Sequence, residues 1–117
     1  MIVEYPNGTP QLKYKLVDGH REGLMQRWDE QGNLREETEY GRGRKQGMVT
    51  YYYPDGQKEM VGFYILDERA GLWRGWHEDG TKSFQSQYRD GELYRWKQYR
   101  DDGTDQTYSR AKNRFGR

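Results

Sequence analysis

The stretch Gly47-Met48-Val49-Thr50-Tyr51-Tyr52-Tyr53-Pro54-Asp55-Gly56 decides the fold. It runs from a glycine through a β-branched and aromatic segment into Pro-Asp-Gly. Val, Thr and Tyr favour the pleated backbone of a strand. Pro presets φ near −65°, Asp caps a turn with its own carboxylate, and Gly accepts positive φ. Beyond the turn the chain returns from Lys58 to Tyr64 as a second strand-like run. The segment therefore reads as a β-hairpin.

Working outward, the same pattern recurs. Turn-like dipeptides stand at Asn7-Gly8, Gln31-Gly32, Asp55-Gly56, Asp79-Gly80 and Asp102-Gly103, with steps of 24, 24, 24 and 23 residues. A second series, Gly23, Gly47 and Gly71, keeps the same phase. A fixed period of this length marks a repeat architecture. The spacing predicts an all-β chain: a single antiparallel meander of about ten short strands, strand and tight turn alternating with strand and looser turn. The repeat sheet spans residues 1–108, and residues 109–117, with four basic side chains, form a C-terminal tail.

Strand side chains alternate between faces. A two-residue loop would put the aromatic column before each turn (Trp28, Tyr52, Trp76, Tyr99) opposite the columns after it (Met60, Phe84; Tyr40, Tyr64, Tyr88). A three-residue loop, a type I turn closed by a left-handed glycine, brings them together. On that parity the main core is Leu12, Leu16, Leu24, Trp28, Leu34, Tyr40, Met48, Tyr52, Met60, Tyr64, Leu72, Trp76, Phe84, Tyr88 and Tyr99. Glu30-Gln31-Gly32 is the weakest turn, and Glu36 interrupts an apolar column. Tyr94 and Arg95 replace the glycine and aliphatic residue that open the last unit, where the 23-residue step falls. A register irregularity is expected around residues 91–96. Gly41 to Gly47 reads as the most basic and most flexible connection.

Composition narrows the function classes. At 117 residues the chain is one domain's length. It has no Cys, which removes disulfides, thiol nucleophiles and Cys-ligated zinc. Twenty basic and 19 acidic residues leave a net charge of +1, so bulk charge points to no polyanion or polycation. Only 32% of residues are hydrophobic, but 15% are aromatic, which opposes disorder. The apolar runs are far too short for a membrane helix, and the N-terminal residues do not read as a signal peptide. A cytoplasmic protein is the expectation.

The columns resemble the MORN repeat, in the bacterial variant of YwqK-type antitoxin proteins. That variant reads Gly-x-Trp-x-x-Tyr-Tyr-x-Asn-Gly-x-Leu-x followed by Tyr-x-x-Gly. Residues 47–56 are a close copy, Gly71-Leu72-Trp73-Arg74-Gly75-Trp76-His77-Glu78-Asp79-Gly80 is another, and Tyr88-Arg89-Asp90-Gly91 matches the later segment. The resemblance covers roughly residues 3–108. It implies a repeat sheet and a protein-binding role, as an antitoxin or immunity protein that blocks a cognate toxin.

The residues themselves show no active site. His20 and His77 are isolated and no Cys joins them, so a zinc site is not expected. Gly41-Arg42-Gly43 continues into neither a dinucleotide fingerprint nor a P-loop. Glu36, Glu37 and Glu39 read as a solvated carboxylate cluster. Asp101 to Asp105 lacks the last ligand of a calcium loop and reads as a turn. The chain is expected to be no enzyme and to need no cofactor.

Surface remains. On the parity above, Tyr51, Tyr53, Val61 and Phe63 share the face away from the core, with Val49, Trp73 and Trp96 beside them. Aromatic clusters of this kind form binding hot spots. Candidate partner-binding residues are therefore Tyr51, Tyr53, Val61, Phe63, Trp73 and Trp96, flanked by Arg42 and Arg44. On this reading, alanine at Tyr51, Phe63 and Trp73 abolishes partner binding and leaves the sheet intact. The competing structural reading packs Trp73 and Trp96 within a curled sheet. The alternative function is a scaffold for nucleic acid or anionic membrane, using the basic loop and tail with stacking aromatics.

Overall fold

The computed structural model describes residues 1–100 and the backbone strand 105–109. In chain order the strands are β1 (Ile2–Glu4), β2 (Pro10–Lys13), β3 (Leu16–Val17), β4 (His20–Arg21), β5 (Gly23–Trp28) and β6 (Leu34–Gly41). They continue as β7 (Arg44–Tyr52), β8 (Lys58–Ile65), β9 (Glu68–Trp76), β10 (Lys82–Arg89), β11 (Glu92–Tyr99) and β12 (Asp105–Ser109). Ten of them form one antiparallel meander in the order β1-β2-β5-β6-β7-β8-β9-β10-β11-β12, while β3 and β4 pair as a short separate ribbon. No described residue is helical. The shortest principal dimension is 17 Å, so the sheet is a single layer. The Asp102-Gly103 turn and residues 110–117 of the basic tail lie outside the described residues.

The tight turns have the expected geometry. Tyr53 N–H donates to Gln57 O (2.8 Å) and Gly56 N–H to Tyr53 O (2.9 Å), with Gly56 at φ 95°. The turns closed by Gly8, Gly32 and Gly80 repeat both bonds. Each is braced by a carboxylate or amide. Asn7 Oδ1 accepts from Thr9 N–H, Asp55 Oδ1 from Gln57 N–H and Asp79 Oδ1 from Thr81 N–H. In the Gln31-Gly32 turn the brace comes from further upstream, because Asp29 Oδ1 accepts from both Gln31 and Asn33 N–H.

A feature one step past the turn overturns the expected parity. Tyr52 pairs with Lys58 but Tyr51 pairs with Met60, which leaves Glu59 as an extra residue. The same skip occurs at Gln11, Arg35, Ser83 and Gln106, always three residues after the turn glycine. Each is a β-bulge, and one extra residue exchanges the two faces of everything beyond it. The expected core therefore splits. Met60 and Tyr64 lie on the face of Val49 and Tyr51, and Met48 and Tyr52 lie on the other.

The inner face holds the packed residues. Val49 and Trp73 are 0% and 1% exposed, with Thr38, Met25 and Tyr64 also buried. By contrast Leu16, Leu24, Met48 and Leu72, all expected in the core, are exposed. In a one-layer sheet the cover comes from neighbours on the same face. Tyr64 and Tyr88 meet the Trp73 ring edge-on at 5.2 and 6.1 Å, and Tyr51, Met60 and Phe84 pack around them. Glycine makes room: a Cβ at Gly62 would lie 2.1 Å from Trp73 Cδ2, and one at Gly75 2.0 Å from Phe84 Cε1.

The looser turns are two residues long. Arg42-Gly43, Leu66-Asp67 and Asp90-Gly91 all carry positive φ, the signature of a type I′ hairpin turn. The expected long loop over residues 41–47 is thus only this turn, with β6 reaching Gly41 and β7 starting at Arg44. Successive repeats are tied along these turns: Gly43 N–H donates to Arg21 O and Asp67 N–H to Lys45 O. A second tie caps the carbonyl beside the bulges at Arg35, Glu59 and Ser83. Trp28 O accepts from Tyr5 OH, Tyr52 O from Arg35 Nε and Trp76 O from Tyr53 OH. The expected irregularity in the last unit is present, a register shift between Gln87 and Tyr88 as they pair with β11.

Candidate interaction face

The bulges decide what the outer face presents. Register pairs carry one row across seven strands: Gln26, Glu37, Thr50, Val61, Arg74, Gln85 and Lys97. A parallel row is formed by the pairs Leu24–Glu39, Met48–Phe63, Leu72–Gln87 and Gln87–Arg95. Read along the sheet, the outer face has three zones. Its first zone is acidic, with Glu37 and Glu39 on β6. Its middle is apolar, with Met48, Phe63 and Leu72 on β7 to β9. Its last zone is basic, with Arg74, Arg95 and Lys97 on β9 and β11.

The middle zone is open. Met48 is 51% exposed, Leu72 43% and Phe63 39%, and Ile65 beside them is exposed as well. The acidic zone is anchored. Glu37 accepts from Gln26 Nε2 (3.0 Å) and Tyr52 OH (2.7 Å), and Glu39 Oε1 accepts from Met48 N–H (2.7 Å). The Glu37 bond holds the Tyr52 phenol neutral, with its pKa pushed up to about 12. In the basic zone, Leu72, Gln85, Gln87, Arg95, Trp96 and Lys97 line a hollow of about 260 Å³. The Nε of Arg95 is buried there without a hydrogen-bond partner.

The inner face has its own electrostatics. Arg27 Nε donates to Glu36 Oε1 (3.0 Å), and Thr38 Oγ1 donates to Glu36 Oε2 (2.8 Å). That is why a carboxylate stands in an otherwise apolar column. Burial first, and Glu36 second, push the Tyr51 phenol up to about 12. At the far end the Arg69 guanidinium lies 4.9 Å above the Trp73 ring and donates to Tyr88 OH, which raises its pKa.

The candidate residues therefore do not form one patch. Val61 and Phe63 are on the outer face, and Tyr51, Trp73 and Trp96 are on the inner one. Trp73 is core, with its indole N–H donated to Phe63 O. Tyr53 spends its hydroxyl on Trp76 O. Arg42 and Arg44 are exposed at the β6–β7 turn. Met48, Leu72 and Arg95 join the outer face although sequence parity had assigned that column inside. The same bulge accounts for both errors. Among the described residues no group of three His, Asp or Glu is arranged to hold a metal ion, and no helix is long and apolar enough to cross a membrane.

Residues 21–41 and 45–65 match the MORN repeat variant. Residues 21–65 are thus two MORN-type repeats. The two matched units end at Gly41 and Ile65, so each closes at its type I′ turn, and their 24-residue offset carries on into β9 and β10. No curated relative matches the chain. MORN repeats fold into binding modules, and the single-layer all-β architecture is of that kind.

Proposed function

We propose that this MORN-repeat sheet is an immunity protein, an antitoxin that binds and blocks a toxin made in the same cell. The observation that carries the binding role is the row of exposed apolar side chains, Met48, Phe63 and Leu72, on a rigid sheet between an acidic and a basic zone. Apolar anchors supply affinity when water is excluded, and flanking charges of both signs select the partner and speed encounter. Val61 from the same face, and Arg42 and Arg44 from its rim, complete the surface. The antitoxin assignment draws on the likeness of residues 47–56 and 71–80 to the YwqK-type repeat, and cytoplasmic residence follows from that role.

The test compares tagged wild-type chain with a Met48→Ser/Phe63→Ser/Leu72→Ser variant, whose changes are all at exposed positions. Wild type is expected to capture one stoichiometric protein from its source cells, and the variant to lose it. That protein, expressed alone, should arrest growth, and co-expression of wild type but not of the variant should relieve the arrest. Capture of only nucleic acid or lipid, or equal capture by the variant, would overturn the proposal.

A further inference from the structure

The three zones of the outer face are complementary to one another. Rotation of a second copy by 180° about an axis parallel to the strands, between β8 and β9, lays β6 over β11 and β8 over β9. Glu39 of one copy then faces Arg95 of the other, twice, and Phe63 faces Leu72. A twofold pairing of one patch with itself is the commonest oligomer geometry. We propose that the outer face pairs with the same face of a second copy, forming a dimer that covers Met48, Phe63 and Leu72 until a partner displaces it. The proposal rests on the reading of this face as the binding surface and adds its resting occupant.

Two observations point to a copy of this chain. The first is charge: Glu37 and Glu39 on β6 and Arg95 and Lys97 on β11 stand on opposite sides of the apolar zone, so the antiparallel order of zones brings these opposite charges together, while Arg74 on β9 falls over Val61. The second is the buried Nε of Arg95, which has no acceptor in the monomer. The Arg95 side chain as a whole is part-exposed, so a carboxylate arriving on a facing copy can meet its guanidinium and form a charge-assisted bond. Glu39 is exposed, and only its Oε1 is bound to the Met48 amide. The area suffices as well. Six strands about 4.8 Å apart and about eight residues long cover roughly 750 Å², close to the ~800 Å² per partner of a standard interface.

The test is sedimentation velocity of the full chain at tens of micromolar in about 0.05 M salt, where screening is weak. Wild type is expected at twice the monomer mass, with Phe63→Ser monomeric. Glu39→Lys and Arg95→Glu should each weaken the dimer by roughly tenfold or more, and the Glu39→Lys/Arg95→Glu chain should recover it, because each copy again offers opposite charges. A monomeric wild type, a dimer indifferent to Phe63→Ser, or a double variant no better than the singles would overturn the proposal. The outcomes separate from those of the preceding section. A monomer that still captures its partner through Phe63 removes the dimer alone, and a rescued dimer that captures nothing removes the immunity role alone.

Discussion

The β5–β6 hairpin and the β8–β10 strands share one backbone plan and fill it with opposite chemistry. In the first, the inner face carries Arg27, Glu36 and Thr38, joined by hydrogen bonds of 2.8 to 3.0 Å. In the second, the same face carries Trp73 beneath Tyr64, Tyr88 and Phe84, with Gly62 and Gly75 opened beneath the rings. The repeat therefore fixes where a side chain points and leaves its polarity free. Turns, bulges and carbonyl caps are held by the backbone and its immediate partners, so either filling folds. The two fillings should fail differently. An aromatic cluster loses stability in proportion to volume removed, whereas a polar cluster loses it when one partner is left alone.

The largest effect is expected at Trp73. Trp73→Ala removes the side chain around which the aromatic cluster is built and should cost about 3–5 kcal/mol. In a small domain that is a large part of the total stability. Urea unfolding followed by tryptophan fluorescence and far-ultraviolet circular dichroism would measure it. A cost below 1 kcal/mol would mean that Trp73 is not the centre of the apolar region. The alanine triple variant at Tyr51, Phe63 and Trp73 is accordingly expected to unfold rather than to report on binding.

Gly62→Ala tests the same region from below. Its Cβ would stand 2.1 Å from the indole, and the ring has nowhere to go, held by its N–H on Phe63 O and flanked by Tyr64 and Tyr88. Overpacking should cost about 1–3 kcal/mol. Gly75→Ala should cost less, because Phe84 above it is only half-buried and can swing aside. Equal losses at the two glycines, in the same urea experiment, would show that backbone conformation rather than ring contact sets the cost.

Much of this contrast could be read in the sequence, and the part that could not has a definite cause. Period, hairpin organisation, turn type and the irregular last unit follow from glycine spacing and turn chemistry, which are local. The face of each column is not local. It depends on Gln11, Arg35, Glu59 and Ser83 being bulged, and beyond their common place three residues after the turn glycine these residues share only polarity. A single extra residue per hairpin moved Trp73 from the surface to the core and Met48 from the core to the surface. One signal was available. Gly62 and Gly75 sit mid-strand, away from any turn, and such glycines mark close approach by a neighbouring ring. Counting them as inner-face positions would have put Trp73 and Phe84 together. The outer zones were half hidden for the same reason: Glu39 and Phe63 already read as facing away from the core, and Met48, Leu72 and Arg95 join them only after the faces are exchanged.

In the polar hairpin, Glu36→Ala should cost about 1–3 kcal/mol. It strands Thr38 Oγ1, which is buried, and the half-exposed Arg27 guanidinium. Replacing the whole cluster, Arg27→Leu/Glu36→Leu/Thr38→Val, should restore most of that loss, because neither a lone charge nor a stranded hydroxyl remains and the pair by itself contributes little. A triple variant as unstable as Glu36→Ala would mean that the polar cluster itself, and not the avoidance of an orphan, stabilises this hairpin.

The smallest effect is expected at the junction of the two regions. Tyr51 pairs with Glu36 on one side and Met60 on the other, so its phenol is desolvated by the apolar cluster and faces the carboxylate of the polar one. Both raise its pKa, to about 12 from an ordinary value of 10.0. The folded phenol thus holds its proton where the unfolded one has lost it. Its stabilisation is complete below pH 10.0 and declines as pH rises toward about 12. Tyr52, on the outer face and bound to Glu37, declines over the same window. Wild type should lose stability from pH 10 upward more steeply than Tyr51→Phe, and Tyr51→Phe/Tyr52→Phe should be flatter still. Burial is the leading cause at Tyr51, so Glu36→Gln should keep most of the Tyr51 slope. If Glu36→Gln instead abolishes it, the polar region governs the junction and the two fillings are electrostatically coupled across Tyr51.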